Sequence, residues 1–315
     1  MHKILIIGCG DIAMRIAGLL RPHYRLYGLV RNPAYLAKLR TAGITPILGD
    51  LDDTRSLRRI ARLADTVLHL APPPSVARTA KIPVAVCDTR THHLLAALSQ
   101  GRLPQRFVYI STSGIYGDCS GALVDETRTP RPQNARAKFR VDAELQIRRW
   151  AARNFVRASI LRVPGIYAVD RLPLERLKKG TPAIMPAEDG YTNHIHADDL
   201  AQCVVATMLR GTANRVYHTV DDSQLKMGDY FDAVADAYNL PHPPRISRAA
   251  AQTALSPMLL SFMNESRRLS NIRMKQELKI RLVYPTVADA LSRLGKINSS
   301  AAQQEMFPAD SPPTR

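Results

Sequence analysis

The sequence predicts an α/β protein: a doubly wound parallel sheet followed by a smaller, mostly helical C-terminal region. Three observations carry this. Short apolar runs alternate with helix-patterned stretches through the first half of the 315-residue chain. A glycine turn stands at the first strand–helix junction. The alternation then breaks after Arg162, where prolines and glycines punctuate residues 164–190.

Taken in order, the predicted strands are Lys3–Ile7, Arg25–Val30, Thr45–Leu48, Thr66–Leu70, Phe107–Ile110 and Ser159–Arg162. The predicted helices between them are Ile12–Leu20, Pro33–Ala42, Thr54–Leu63 and Asp88–Gln100, with a further helix over 135–152. A helix Asp199–Arg210 and a strand Val216–Val220 read as a return to the sheet. Residues 221–293 read as mostly helical around the proline cluster Pro241–Pro244, and 298–315 as a polar, proline-containing disordered tail. The expected division is a nucleotide-binding domain over 1–165, rejoined by 195–220, and a second domain from 166–194 and 221–293.

Composition narrows the partners. A formal charge of +17 attracts anions such as nucleotides and phosphorylated or carboxylated substrates. The basic residues are dispersed, only 6% of residues are aromatic, and no recognition motif accompanies them, so nucleic acid is not favoured. The apolar run Ile4–Ile7 is too short for a signal peptide and no run would span a bilayer, which leads to the expectation of a cytoplasmic protein without a membrane partner. Cys9, Cys87, Cys119 and Cys203 lack metal-ligand or disulfide spacing and read as packed, reduced thiols, with no metal site.

The glycine turn is Gly8-x-Gly10-x-x-Ala13. In a Rossmann-type fold Gly8 permits the tight turn and Gly10 lets backbone approach a pyrophosphate. The helix start at Asp11, Ile12 and Ala13 supplies N–H groups and positive dipole, and Ala13 keeps helix and strand close. About 20 residues on, where an acidic residue would bind an NAD ribose, stands Arg31. A guanidinium suits a 2′-phosphate, so NADP is favoured, with NAD possible.

Further phrases follow in order: Gly49-Asp50-Leu51, His69-Leu70-Ala71, Tyr109 to Gly117 (YISTSGIYG), Leu161 to Tyr167 (LRVPGIY) and Ile195 to Ala201 (IHADDLA). Together, over roughly residues 3–220, these resemble the extended short-chain dehydrogenase/reductases of the NAD-dependent epimerase/dehydratase type, and the remainder resembles that family's substrate domain. The resemblance implies that Asp50 and Leu51 bracket the adenine, that Ala71 lines the cofactor groove and that Thr112 is the catalytic Ser/Thr. It also implies that Lys138 holds the nicotinamide ribose, and it raises the expectation of a homodimer formed through helices like those at 88–100 and 135–152. Asp198 or Asp199 reads as a helix N-cap.

One departure matters. The family's acid/base tyrosine precedes its lysine by four residues, and Asn134 holds that position relative to Lys138, with Ala137 at a common serine position and Glu144 further along. An amide is no Brønsted acid near neutrality. This departure and the shortened glycine loop resemble the atypical subgroup of the superfamily. The proton donor would then be Tyr116, Tyr167, Tyr191, His194 or a water held by Asn134, with Tyr116 favoured. Arg267 and Arg268, in a basic helix-like segment Ser266–Asn271, could clamp a substrate phosphate or carboxylate. The function expected is an NADP-dependent oxidoreductase or epimerase/dehydratase-type enzyme on a sugar-like or carbonyl/hydroxyl small molecule. A non-catalytic NADPH-sensing module is the alternative, and polyanion binding is a weaker third.

Overall fold

The structure, a computed structural model, describes residues 1–74 and 86–293; the predicted tail 298–315 lies outside them. The strands are β1 (Lys3–Ile7), β2 (Arg25–Val30), β3 (Ile44–Leu48), β4 (Thr66–His69), β5 (Arg106–Thr112), β6 (Leu123–Val124) and β7 (Arg157–Val163). They are followed by β8 (Gly165–Tyr167), β9 (Ala183–Ile184), β10 (His194–His196), β11 (Arg215–His218), β12 (Arg245–Ile246) and β13 (Arg268–Leu269). Seven of them form one sheet in the order β11-β7-β5-β4-β1-β2-β3, and every pairing in it is parallel. The order reverses beside β1, so a crevice opens there at the carboxyl ends of the strands.

The helices are α1 (Asp11–Leu20), α2 (Leu36–Thr41), α3 (Thr89–Leu98), α4 (Ala135–Asn154), α5 (Leu174–Lys178), α6 (Ala197–Arg210), α7 (Met227–Ala237), α8 (Arg248–Ala254), α9 (Pro257–Met263) and α10 (Ile272–Leu278). Ile4 and Ile6 of β1 join the cluster under α1 and α6, with Ile16, Ala17, Leu200 and Val204. Leu5 and Ile7 join the opposite cluster under α3 and α4, with Leu94, Leu95, Ile147 and Trp150. A strand covered on both faces is apolar along its covered length, which is why Ile4–Ile7 reads as an unbroken run rather than an alternation.

The seven sheet strands stand within about two residues of their predicted bounds. Just over half of 221–293 is helical, in short helices with Pro241, Pro243, Pro244 and Pro285 in the gaps between them. Two predictions need correction. Thr54–Ile60 is a 3-10 helix, capped by Asp53 accepting from Arg55 N. Ser266–Asn271 is not a helix: Arg268–Leu269 pairs in parallel with Leu123–Val124. The thiol expectation also fails at one position, since Cys87 is exposed while Cys119 and Cys203 are buried. A separate apolar cluster of Tyr167, Leu177, Ala183, Tyr230, Phe231 and Val234 draws residues 167–183 against α7. Among the described residues no helix is long and apolar enough to cross a membrane.

Candidate active site

The glycine turn after β1 has a geometric reason for each glycine. Gly8 has φ +93, and a Cβ on it would fall 2.5 Å from Ala71 N, so the turn nests against the chain leaving β4. Gly10 is the N-cap of α1 with no side-chain cap, and a Cβ there would meet nothing within 4 Å. The turn therefore presents a helix N-terminus to open space, which fits a dinucleotide pyrophosphate. A crevice of about 430 Å³ opens here, lined by Gly8, Gly10, Arg31, Asp50, Leu51 and Ala71. Asp11, Ile12 and Ala13 do not line it. Ile12 and Ala13 are packed into the core, and the Asp11 carboxylate is held by Arg15 and Arg171. Arg90 of α3 also lines the crevice, its guanidinium held by Asp52 and the Pro73 carbonyl. Nothing near Arg90 in the sequence marks it.

A second cavity, of about 380 Å³, lies at the carboxyl ends of β5 and β7, closed by the start of α4 and by residues of the 191–194 and 261–267 segments. Thr112 lines it and caps the following 3-10 turn, its hydroxyl oxygen accepting from Gly114 N at 3.2 Å. Capping leaves the hydroxyl hydrogen able to donate. Among the described residues, three buried polar atoms on lining residues have no protein partner: Ser111 Oγ, His194 Nδ1 and Arg267 Nε. Burial pushes His194 down to about 3, so at neutral pH it is a neutral imidazole stacked on Tyr230 at 4.1 Å.

Asn134 reaches this cavity as the N-cap of α4. With φ −123 and ψ 159 it stands outside the helix; its Oδ1 accepts from Ala137 N at 2.9 Å, and its Nδ2 donates to Glu265 Oε1 at 3.1 Å. An N-cap residue does not share the i, i+4 face of the helix it starts. Lys138 accordingly is exposed and lines neither cavity. The pair spaced by four that does line the second cavity is Arg136 and Arg140. Arg140 Nη1 donates to the carbonyls of Ala71 (3.2 Å) and Ile110 (3.0 Å) and to Tyr109 Oη (2.9 Å), which puts it where the two cavities meet.

Of the candidate proton donors, Tyr191 and His194 line the cavity, whereas Tyr116 and Tyr167 do not. Tyr116 is buried beside it, bonded to His218 Nε2 at 2.6 Å and accepting from Arg162 Nη1, and burial pushes its phenol up to about 12. Arg267 is buried with Nη1 on Gly117 O (2.9 Å) and Glu265 Oε2 (2.8 Å). Arg268 turns away, donating to Gly121 O and lying over the Tyr191 ring at 5.0 Å. His196 caps α6, its ring nitrogen accepting from Asp198 N, and Asp199 receives the amides of Val283 and Tyr284. Neither aspartate is the N-cap. Glu265 had no sequence signal as a site residue, because it lies 131 residues from the Asn134 it bonds.

The family model for the NAD dependent epimerase/dehydratase family matches residues 13–220. The chain belongs to that family. Its fold is the family's extended short-chain dehydrogenase/reductase fold. A protein of unknown function from Silicibacter pomeroyi has a solved structure that superposes with a TM-score of 0.74 at 29% identity, covering 95% of this chain and 99% of that one. The UDP-glucuronic acid 4-epimerase of Bacillus cereus, solved with UDP-glucuronic acid and NAD, superposes at 0.73 and 18% identity, with coverage of 95% and 99%, a likeness of fold. In sequence, an uncharacterised protein of Schizosaccharomyces pombe is 24% identical over 87% of this chain and 92% of its own length. A dTDP-glucose 4,6-dehydratase of Streptomyces niveus is 25% identical over 63% of this chain and 61% of its own.

Proposed function

We propose that this epimerase/dehydratase-family chain is an NADP-preferring oxidoreductase or epimerase/dehydratase-type enzyme for an anionic, sugar-like carbonyl or hydroxyl substrate. The observation that carries the reading is the second cavity. Thr112, Ser111 and His194 line it beside three guanidinium side chains, Arg136, Arg140 and Arg267, with Glu265 as the single carboxylate lining it among the described residues. That balance of charge favours a substrate bearing a phosphate or carboxylate, which arginine forks bind in pairs. The sugar nucleotides named for the Bacillus cereus and Streptomyces niveus proteins are of this class.

Gly8, Gly10, Asp50, Leu51 and Ala71 would hold the dinucleotide, and exposed Arg31 at the crevice rim would take its 2′-phosphate. When bound, the nicotinamide supplies hydride exchange with the substrate carbon. Thr112 would orient the reacting oxygen and stabilise charge on it, and neutral His194 would donate or accept a hydrogen bond.

Titration of the purified chain with NADPH and NADH tests the cofactor. Arg31→Ala is expected to weaken NADPH about tenfold or more and NADH by less than about twofold, the loss of a charge-assisted phosphate contact. Equal losses would remove the NADP preference. Turnover of NADP against sugar nucleotides, uronates and phosphorylated sugars tests the reaction. The Arg136–Arg140 pair on the helix face favours the sensing alternative, because neither guanidinium moves a proton. Dinucleotide binding with no turnover anywhere in the panel would select that alternative.

A further inference from the structure

The second cavity has no tyrosine on the α4 face to move a proton, and each cationic candidate fails for a chemical reason. The three guanidiniums stay protonated. His194 is held neutral and is a weak base. Asn134 is an amide. What remains is Tyr191, whose ring lies under the Arg268 guanidinium, and, on the same side of Gly114 as Thr112, Glu265 on the loop between α9 and β13, with its side chain only 8% exposed.

Its carboxylate is held from two sides. Asn134 Nδ2 donates to Oε1 at 3.1 Å and Arg267 Nη1 to Oε2 at 2.8 Å. Oε2 also lies 3.8 Å from the position a Cβ on Gly114 would take, and Thr112 Oγ1 lies 3.5 Å from that same position. The carboxylate and the hydroxyl thus lie on the same side of Gly114, each at ordinary contact distance from where a side chain there would begin. Each carboxylate oxygen keeps a second lone pair beyond the bond described, so the group can accept a proton without giving up its anchors.

We propose that Glu265 is the proton-transfer group of this site, with Asn134 and Arg267 as its positioning residues; the proposal rests on the enzymatic reading above. In the oxidative direction the substrate O–H bond breaks and the proton passes to the Glu265 carboxylate. The freed electron pair would form the C=O bond as the adjacent C–H bond breaks, with the hydride acceptor supplied by oxidised nicotinamide when a dinucleotide is bound. The substrate loses two electrons, the dinucleotide gains them, and Glu265 ends as a neutral acid that returns its proton to solvent. Reduction runs the same path backwards, with Glu265 as the acid. Asn134 then has a function at the mouth of the site: it orients a carboxylate in place of being the donor itself.

The groups facing Glu265 are Arg136 and Arg140 from α4, Arg267 from its own segment, and Tyr191 and His194 across the cavity. The guanidiniums hold their charge and His194 stays neutral above about 3. Glu265 is the one carboxylate among them, so an acid limb in the oxidation rate should depend on its presence.

The full chain is compared with Glu265→Gln and Glu265→Asp on the most active substrate of the panel. Four quantities are read: kcat and KM against pH, dinucleotide affinity, thermal midpoint, and isotope-edited infrared difference spectra on adding substrate to the dinucleotide-loaded protein. For Glu265→Gln, kcat is expected to fall about 10²–10⁴-fold, with KM and dinucleotide affinity within about twofold, and the acid limb of the profile to vanish. Glu265→Asp should recover part of kcat together with the acid limb. The infrared spectra should show a carboxylic-acid band in the parent chain that is absent from Glu265→Gln. A Glu265→Gln chain that keeps its rate or its acid limb overturns the proposal while leaving the enzymatic reading intact. So does one that loses thermal midpoint and dinucleotide affinity together, which would make Glu265 an anchor for Arg267. A parent chain that binds dinucleotide but turns over nothing overturns both.

Discussion

Two clusters of polar side chains lie against the carboxyl ends of β5 and β7, and they differ in whether their bonds close. In the first, Arg162 spans Glu144 with Nε at 3.2 Å and Nη2 at 2.8 Å and reaches Tyr116 Oη with Nη1. The Tyr116 hydroxyl donates to His218 Nε2, His218 Nδ1 donates to Ser270 O, and Glu126 accepts from His218 N and pairs with Arg273. Among the described residues, no buried side-chain polar atom in that chain is left without a partner. In the second, the cavity, Ser111 Oγ, His194 Nδ1 and Arg267 Nε have none. Buried polar atoms without partners are costly. A closed network is scaffold, whereas an open one at a cavity is where a ligand can complete the bonding. The two are coupled through α4: Glu144 lies one turn beyond Arg140, so the closed network fixes the helix face that the cavity uses.

The contrast breaks most visibly at Arg162. Both side chains of the Arg162–Glu144 pair are 5% exposed, and Arg162→Ala leaves a buried carboxylate uncompensated. The expected loss is about 3–5 kcal/mol in denaturant unfolding at neutral pH. Ser111→Ala removes a hydroxyl that has no partner and should stay within about 1 kcal/mol of the parent. Similar losses for the two would mean that the cavity is as much scaffold as the network.

Acid sharpens the comparison next. Burial pushes His69, His194 and His218 from 6.5 down to about 3 each. Their folded pKa lies below the unfolded one, so between about 3 and 6.5 the unfolded chain binds more protons. The stability they contribute is full above 6.5 and is lost as pH falls, by up to about 1.4 kcal/mol per pH unit for each histidine. Asp221 has the opposite sign. Burial raises it to about 7, so its contribution is lost as pH rises and offsets roughly one histidine below that. Net stability should therefore fall between pH 7 and pH 5. His194→Gln, which touches the cavity and not the network, should flatten that slope by one histidine's share. A slope unchanged in His194→Gln would show that the cavity imidazole is already protonated in the folded chain.

The same contrast explains what the sequence could reveal. The sheet was legible because strands covered on both faces, such as Ile4–Ile7 and Phe107–Ile110, are apolar throughout, and the glycine turn because Gly8 answers a local steric demand at a strand–helix junction. β13 was not. Ser266-Arg267-Arg268-Leu269 carries no strand pattern, and it is held by partners far away in sequence: Leu123–Val124 through backbone pairing, and Asn193, whose Nδ2 donates to Arg267 O and whose Oδ1 accepts from Leu269 N. Glu265 and Arg267 enter the cavity only because of those long-range bonds, so no local spacing announces them.

The smallest expected effect is the most pointed for the reading of α4. Spacing alone pairs Asn134 with Lys138, but an N-cap begins one position before the helix, and its extended backbone takes it off the face that i, i+4 counting assumes. Counted from within the helix, the α4 residues that line the cavity are Arg136, Ala137 and Arg140, whereas Lys138 is exposed and lines neither cavity. Lys138→Ala should therefore shift dinucleotide affinity by less than about twofold, the scale of a solvated charge. Arg140→Ala, which frees the carbonyls of Ala71 and Ile110 where the two cavities meet, should weaken it about tenfold or more. Titration of both variants with NADPH decides between the two registers. A Lys138→Ala loss equal to that of Arg140→Ala would return the ribose contact to Lys138 and require its side chain to swing across the turn from the exposed face.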